Sequence, residues 1–442
     1  MYPYIIKKII LPVSDRLLGL SVNNELKKNR YIQWCSQKEL EIMQTNNLKN
    51  ILLHSSKNVP YYKKIFTEHG LEINENIYRD FKNIPFLTKS LIKDNLPDNI
   101  IDKTIKIYSK DNTSGSSGHQ CVFYHDRLAY SKHIAIQSLW WEWSGFRFGE
   151  KVLQTGMTTQ RGIAKTIKDK IFQVNYTQAF LMDHRTIKKN LQHFRNKKNI
   201  YFMGYASSLF TYAQFADQSN INDVRFNAVV SWGDKMFPHY RDLIERTFKT
   251  KVFDTYGAAE GLMIAAECEE HNYHIMTHHV LIEILDQNGE EVKDGEIGEV
   301  FVTRLDNYLM PLIRYRIGDL AVRSSQDKKC PCGRNFPMIE KIVGRDTDIV
   351  FTPRGKALIV HFFTGIFEHI PEIKQFQVVQ NINGGDIEIR YIKANDFSFP
   401  ILKKAQAKMY KKAGEEFPLF FNPVENIEPS PSGKPQIVMR NY

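Results

Sequence analysis

The chain has 442 residues, more than one ordinary core accommodates, so two domains or a large domain with a small one are expected. Apolar residues make up 42% and aromatics 12%, which excludes disorder across the whole length. The net charge of +11 admits a polyanionic ligand, an acidic membrane surface or nucleic acid, but no zinc-finger, RNA-recognition or helix-turn-helix pattern is present and nucleic acid is set aside.

Residues 1–100 read as helical, with Lys-rich faces and breaks at Pro60, Gly70 and Pro85. The opening MYPYIIKKIILPVSDRLLGL is apolar, but Lys7, Lys8, Pro12 and Asp15 interrupt it before a secretory core forms. Two readings stay open for it: a helix packed on the body, or an amphipathic segment resting on a membrane surface. Farther on, KVLQTG (151–156), IYFMGY (200–205), AVVSWG (228–233) and KVFDTYG (251–257) each run from β-prone residues into a Gly, with helix-like stretches between them. That alternation predicts a mostly parallel α/β sheet, which binds ligands beyond the carboxyl ends of its strands.

Between Arg161 and Asn199, ten Lys/Arg face only Asp169 and Asp183, either as a solvated helical face or as a contact for an anionic partner. The uncharged run 199–216 is too polar for a bilayer and reads as a buried strand turning into a helix. From about 280, VLIEIL and EVFVTRL flank a polar loop and predict a hairpin region. QFQVVQNINGGDIEIRYI predicts a second hairpin, turning at Asn383–Gly385, and ILKKAQAKMYKKAGEEF a helix. The expected division is a large α/β domain over 1–343 and a small, mobile α+β domain over 344–442, hinged near Gly344–Asp348.

Four segments carry chemistry by residue type. DNTSGSSGHQ (111–120) packs Thr113, Ser114, Gly115, Ser116, Ser117 and Gly118 together. Its glycines allow close backbone approach, and its N–H groups and hydroxyls can cradle phosphate, although such clusters are commonly plain loops. No Gly-Lys-Ser/Thr follows, so it is not a Walker loop. In DTYGAAEG, Tyr256 supplies a ring able to stack on a base, and Glu260, beyond Gly257, a carboxylate able to hold Mg²⁺. Asp319 in RYRIGDLA can accept bonds from ribose hydroxyls, and Lys434 in PSPSGKPQIV brings a positive charge on a Gly-containing loop. Singly, each has a bland reading: turn Gly, solvated Asp, exposed terminal Lys.

Together and in this order, TSGSSG, YGAAE, GDL, GRDTD and SGK resemble the adenylate-forming superfamily of acyl-CoA synthetases and adenylation domains. NVPYYKKIF, MPLIRYRIGDLA and CPCGR look most like its phenylacetate–CoA ligase-like branch, which includes capsular polysaccharide biosynthesis proteins. The resemblance implies that ATP and a carboxylic acid give an acyl-adenylate, followed by acyl transfer to coenzyme A or to an amine. It assigns Thr113–Gly118 to the β- and γ-phosphates, Tyr256 with Gly257 to adenine, Glu260 to Mg²⁺ and Asp319 to the ribose. Arg345 falls at the domain junction, and Lys434 between the attacking carboxylate and the α-phosphate. His119 stands where relatives often have Lys, and in GRDTD the acids flank Thr347 where many relatives have adjacent acids.

Five Cys in so long a chain point to a reducing, cytoplasmic setting rather than a disulfide framework. Cys268, Cys330 and Cys332, with His271 or His274, can form a closed tetrahedral zinc site, the alternative being free thiols and solvated histidines. A comparable arrangement in the resembling branch, with the His at the head of a strand, favours His274. The acid pocket is expected along Trp140–Gly145, 204–208, 231–234 and 256–261, and the pair His278–His279 is expected in half-buried strand. The rival to an enzyme is a non-catalytic nucleotide-binding or scaffold protein of a polysaccharide assembly system, which would bind ATP without turnover. The sequence does not speak to which acid is used or to oligomeric state.

Overall fold

Ser36 and Pro60 fix where the first long helices begin. Ser36 accepts from the Glu39 N–H while the Glu39 carboxylate accepts from the Ser36 N–H, a reciprocal cap that opens Gln37–Asn58. Pro60, whose missing N–H costs nothing in a first turn, opens Pro60–Glu68. The computed structural model describes residues 2–71, 80–112, 121–156, 162–179, 183–345, 349–367, 370, 372–428 and 436–442. Within the first hundred of these, helices also cover Tyr2–Leu18 as a nearly continuous run, Val22–Ile32 and Lys89–Asn95.

A short hairpin follows, β1 (Ser109–Asn112) with β2 (Val122–His125). The chain then builds β3 (Lys151–Gly156), β4 (Val174–Gln178), β5 (Ile200–Tyr205), β6 (Ala228–Trp232) and β7 (Val252–Ala258). These five pair in parallel in the order β4-β3-β5-β6-β7. Helices Ile163–Ile171, His184–Phe194, Ala206–Gln218 and Pro238–Phe248 form the connections. Parallel strands covered on both faces must be apolar throughout, and Ile200 to Gly204 are all buried. Phe202, wholly buried in the cluster around Tyr212, Phe226 and Phe248, contributes roughly 1.5–3 kcal/mol by area burial. The uncharged run 199–216 is thus a buried strand entering a helix, as its composition suggests.

Beyond β7 the pairing turns antiparallel. β8 (Leu262–Glu267), β9 (Tyr273–Ile275), β10 (Val280–Leu285), β11 (Ile297–Arg304), β12 (Tyr315–Arg323) and β13 (Met338–Arg345) complete the sheet in the order β10-β11-β12-β13-β9-β8-β7. The hairpin expected after residue 280 is β10–β11. His278 and His279 lie in the turn before β10, not within a strand, and His279 is wholly buried.

After residue 348 come the pair β14 (Ile349–Phe351) and β15 (Ala357–Ile359), then β16 (Ile373–Gln380), β17 (Ile387–Lys393), β18 (Leu419–Pro423) and β19 (Val438–Arg440). The last four form a sheet ordered β18-β17-β16-β19. The helix Pro400–Ala413 ends at Gly414, whose φ of +73° suits the left-handed cap. Met409, Val378, Ile387 and Phe363 fill this core, and Phe237 from the long first part of the chain inserts into it.

Candidate active site

The turn joining β7 to β8, where parallel pairing becomes antiparallel, carries Gly257, Glu260 and Gly261. Open α/β sheets bind ligands beyond the carboxyl ends of their parallel strands, and the carboxyl end of β7 falls here. Two glycines are obligatory there. Gly261 has φ +77°, and a Cβ would lie 2.6 Å from the Arg304 guanidinium and 2.6 Å from the His125 ring. At Gly257 a Cβ would meet the Leu262 carbonyl oxygen at 2.7 Å.

Tyr256 is buried, and its hydroxyl donates to Asp319 Oδ2 at 2.9 Å. Asp319 stands opposite Arg345 in the β12–β13 ladder, and Arg345 Nε lies 3.6 Å from Asp319 Oδ1. Burial pushes the Asp319 carboxyl above its ordinary value, while the Arg345 charge pulls it down. Glu260 is 3% exposed; its Oε1 accepts from the Tyr315 hydroxyl at 2.9 Å and lies 3.5 Å from Lys89 Nζ. Burial and then the Glu260 charge drive the Tyr315 phenol far above its ordinary value, so it stays a donor at any working pH.

Lys89 reaches this point because its segment is zipped to the sheet. The Leu87 N–H donates to the Arg314 carbonyl at 3.1 Å, and the Leu87 carbonyl accepts from the Arg316 N–H at 2.9 Å. Arg314 holds φ +47°, unusual for a residue with a Cβ. Its guanidinium makes a two-pronged pair with Glu283 at 3.1 and 2.8 Å and donates to the Ile84 carbonyl at 2.8 Å. Those bonds hold the strained backbone in place.

Below the turn lies a wholly buried cation. Arg304 donates from Nε to Asp306 Oδ1 at 3.0 Å, and one Nη reaches both His125 Nδ1 at 2.9 Å and the Glu260 carbonyl at 3.5 Å. Asp306 Oδ2 meets His279 Nδ1 at 2.7 Å, and His279 Nε2 accepts from the Met263 N–H at 3.2 Å. His279 is therefore neutral with its proton on Nδ1. Burial opposes the Asp306 charge, but His279 and Arg304 outweigh it and hold the carboxyl well below the usual range. His125 Nε2 lies 3.2 Å from Asp111 Oδ2, within ion-pair distance though not aligned as a hydrogen bond. The network thus joins the Glu260 turn to β1, the strand that leads into residue 113.

The structure brings Tyr256, Glu260, Asp319 and Arg345 together beside the β7–β8 turn, from segments far apart in the chain. Thr113, Ser114, Gly115, Ser116, Ser117, Gly118, His119, Thr347 and Lys434 lie outside the described residues. Trp140 and Trp143, expected along the acid pocket, are buried in a core on the far side of β8, where Trp143 packs edge-on against His274. Sequence reading missed Lys89, Tyr315, Arg304, Asp306 and His279. Only Tyr315 had a local hint, three residues before the GDL element.

A second polar cluster lies in that core. The ligand atoms of Cys268, His274, Cys330 and Cys332 all fall within 4.8 Å of one another. Cys268 and Cys330 sulfurs are 3.6 Å apart, and Cys332 Sγ is 3.3 Å from His274 Nε2. Zn–S bonds of about 2.3 Å in a tetrahedron place sulfurs roughly 3.8 Å apart, so the set fits zinc. Its surroundings fit thiolates too: the N–H groups of Glu270 and Arg334 donate to Cys268 and Cys332, and the Asn272 amide donates to Cys330. His274 Nδ1 is 3.2 Å from the Phe336 carbonyl, which turns Nε2 toward the sulfurs. His271 instead lies beside Arg241 and Glu267 and takes no part.

The fold is that of the adenylate-forming CoA ligases. The solved structure of 2-hydroxyisobutyryl-CoA ligase in a postadenylation state with bound R3-HIB-AMP aligns with TM-score 0.73 at 17% identity, covering 92% of this chain and 90% of that one. The anthranilate CoA ligase AuaEII with anthranoyl-AMP aligns with TM-score 0.56 at 15% identity, over 76% and 65% of the two chains. The sequence relatives are more particular. Protein CapK of Staphylococcus aureus is 24% identical over 410 residues, 90% of this chain and 89% of that protein. Phenylacetate-coenzyme A ligase of Thermus thermophilus is 24% identical over 368 residues, 79% and 80% of the two. Residues 350–441 match the CapK C-terminal domain family. The chain is thus similar to CapK and to the phenylacetate–CoA ligases in sequence, and shares its fold with the adenylate-forming CoA ligases.

Proposed function

We propose that this protein uses ATP to activate a carboxylic acid as its acyl-adenylate and then passes the acyl group to coenzyme A or to an amine. The observation that carries this is the meeting of Glu260 with the Tyr256–Asp319–Arg345 chain where the sheet reverses its pairing. Asp319 keeps lone pairs for ribose hydroxyls after accepting from Tyr256, and Arg345 beside it suits the ribose or a phosphate. The Tyr256 hydroxyl positions Asp319, and its ring borders the base. Residues Thr113–Gly118 follow β1 directly and are assigned to the β- and γ-phosphates.

Glu260 would hold Mg²⁺, with phosphates and water completing the oxygen shell as such sites commonly do. When bound, Mg²⁺ supplies positive charge to the phosphate oxygens. Lys89, 3.5 Å from Glu260, adds a second positive charge in reach of the same phosphates. The carboxylate oxygen attacks the α-phosphorus, the bond to pyrophosphate breaks, and Lys434 bridges the incoming oxygen and the α-phosphate. A turn of residues 344–442 as a unit would then clear Lys434 and admit the acceptor.

Cys268, His274, Cys330 and Cys332 would hold a structural Zn²⁺, closing the β8–β9 and β12–β13 connections on each other. We place the enzyme in the cytoplasm and in surface polysaccharide biosynthesis, as the resemblance to the capsular branch implies. Among the described residues no helix is long and apolar enough to cross a membrane.

The test is a hydroxylamine-trapping screen of carboxylic acids with ATP and Mg²⁺. Hydroxamate and pyrophosphate should form with at least one acid, and transfer with coenzyme A, then with amines, identifies the acceptor. ATP binding without pyrophosphate release for any acid would favour the scaffold reading instead.

A further inference from the structure

Two helices expose apolar stripes. Ile9, Val13 and Leu17 recur every four residues in the N-terminal helical run and are 56%, 51% and 80% exposed. Ile163 and Ile167 recur likewise in Ile163–Ile171, a helix with no buried residue, and are 82% and 54% exposed. The two elements are far apart in sequence yet adjacent in space. The Tyr2 hydroxyl donates to the Ile171 carbonyl at 2.5 Å. Gly149, at φ +94°, lets the first turn sit close, since a Cβ there would meet Ile6 at 2.8 Å.

Exposed cations accompany both stripes: Lys7, Lys8 and Arg16 on the first helical run, Lys165, Lys168 and Lys170 on the second helix. The acids on these elements are Asp15 and Asp169, and the Asp15 carboxylate is turned inward to accept from the Asn23 N–H at 2.7 Å. Exposed aliphatic stripes on helices that also carry exposed ammonium and guanidinium groups match one chemistry well: acyl chains beneath a layer of anionic headgroups. A second copy docking through the same face would bring like charges together.

We propose that these two exposed stripes together form a peripheral attachment site for an anionic phospholipid bilayer. The proposal is independent of the catalytic reading, because its test is a binding measurement that needs no turnover.

Sedimentation with vesicles of equimolar phosphatidylglycerol and phosphatidylcholine, against vesicles of phosphatidylcholine alone, tests it. The wild-type chain should sediment with the anionic vesicles only, less so as salt is raised. A Leu17→Glu/Ile163→Glu double variant, altered at two solvent-facing positions, should lose about tenfold or more in partitioning. Its circular dichroism and thermal midpoint should be unchanged. Failure to bind anionic vesicles, equal binding to neutral ones, or undiminished binding by the double variant each overturns the proposal. So does a wild-type dimer that the same substitutions convert to monomer, which would assign the face to a second copy.

Discussion

Two buried polar clusters lie on either side of the β7–β8 turn, and they are built in opposite ways. Around Arg304, Asp306 and His279, protein groups engage both Asp306 oxygens, all three Arg304 nitrogens and both His279 nitrogens. Around Glu260 and Asp319, the protein supplies two phenol hydroxyls and two cations that are partly solvent-exposed, which leaves carboxylate lone pairs for something else. A closed cluster of this kind fixes geometry; an open one receives a ligand. The difference lies in how many lone pairs are left over, since both clusters are buried and charged.

The largest effect expected of breaking that contrast comes from the closed side. Arg304→Met leaves Asp306 buried without its cation and should cost about 3–5 kcal/mol in urea unfolding. On the open side, Glu260→Gln keeps the shape and the Tyr315 bond but removes the charge. Pyrophosphate exchange should fall by about two to three decades while the unfolding midpoint barely moves. A Glu260→Gln protein that unfolds early while exchanging normally would reverse the assignment of the two clusters. Lys434→Ala should abolish adenylate formation and leave ATP binding largely intact, as isothermal titration would record.

Acid sharpens the comparison further. His133, beside the Gly261 carbonyl at 3.5 Å, is pushed down to about 4 by burial and then by the Arg304 charge. Its unfolded value is near 6.5, so the unfolded chain takes up the proton first as pH falls. Stability is therefore unaffected above about pH 6.5 and lost between there and about 4. The shift corresponds to about 3 kcal/mol at most, and the partial exposure of the residue lowers that. Asp254, pushed up to about 7 by burial and then by Glu267, gives the opposite slope in the same window. The readout is accordingly the difference between wild type and His133→Asn, whose unfolding free energy should vary less with pH. Smallest is Tyr256→Phe, which removes one bond to a carboxylate and should raise the KM for ATP by about tenfold.

Much of the open cluster was legible from sequence, and little of the closed one. Tyr256, Gly257 and Glu260 sit within one short turn, Asp319 follows a Gly, and Arg345 ends a strand, so local pattern marks each. Cys268, Cys330 and Cys332 announce themselves by residue type. Arg304 and His125 are 179 positions apart, and no local period connects them. Lys89 looked like one more lysine on a helical face, because its partner Glu260 is supplied by a distant turn. Trp140 and Trp143 misled for a related reason: an aromatic run suits a pocket and a core equally, and here the nearby Cys/His cluster and Gln33 claim that face.

The backbone twist at Arg314 has a reach that its position conceals. It fastens the crossing between the amino-terminal helices and the candidate site, so the ammonium group facing Glu260 moves only if that knot loosens. The first hundred residues therefore set where that positive charge stands, and a substitution that loosens Arg314 should be felt at Glu260 although it lies outside the turn.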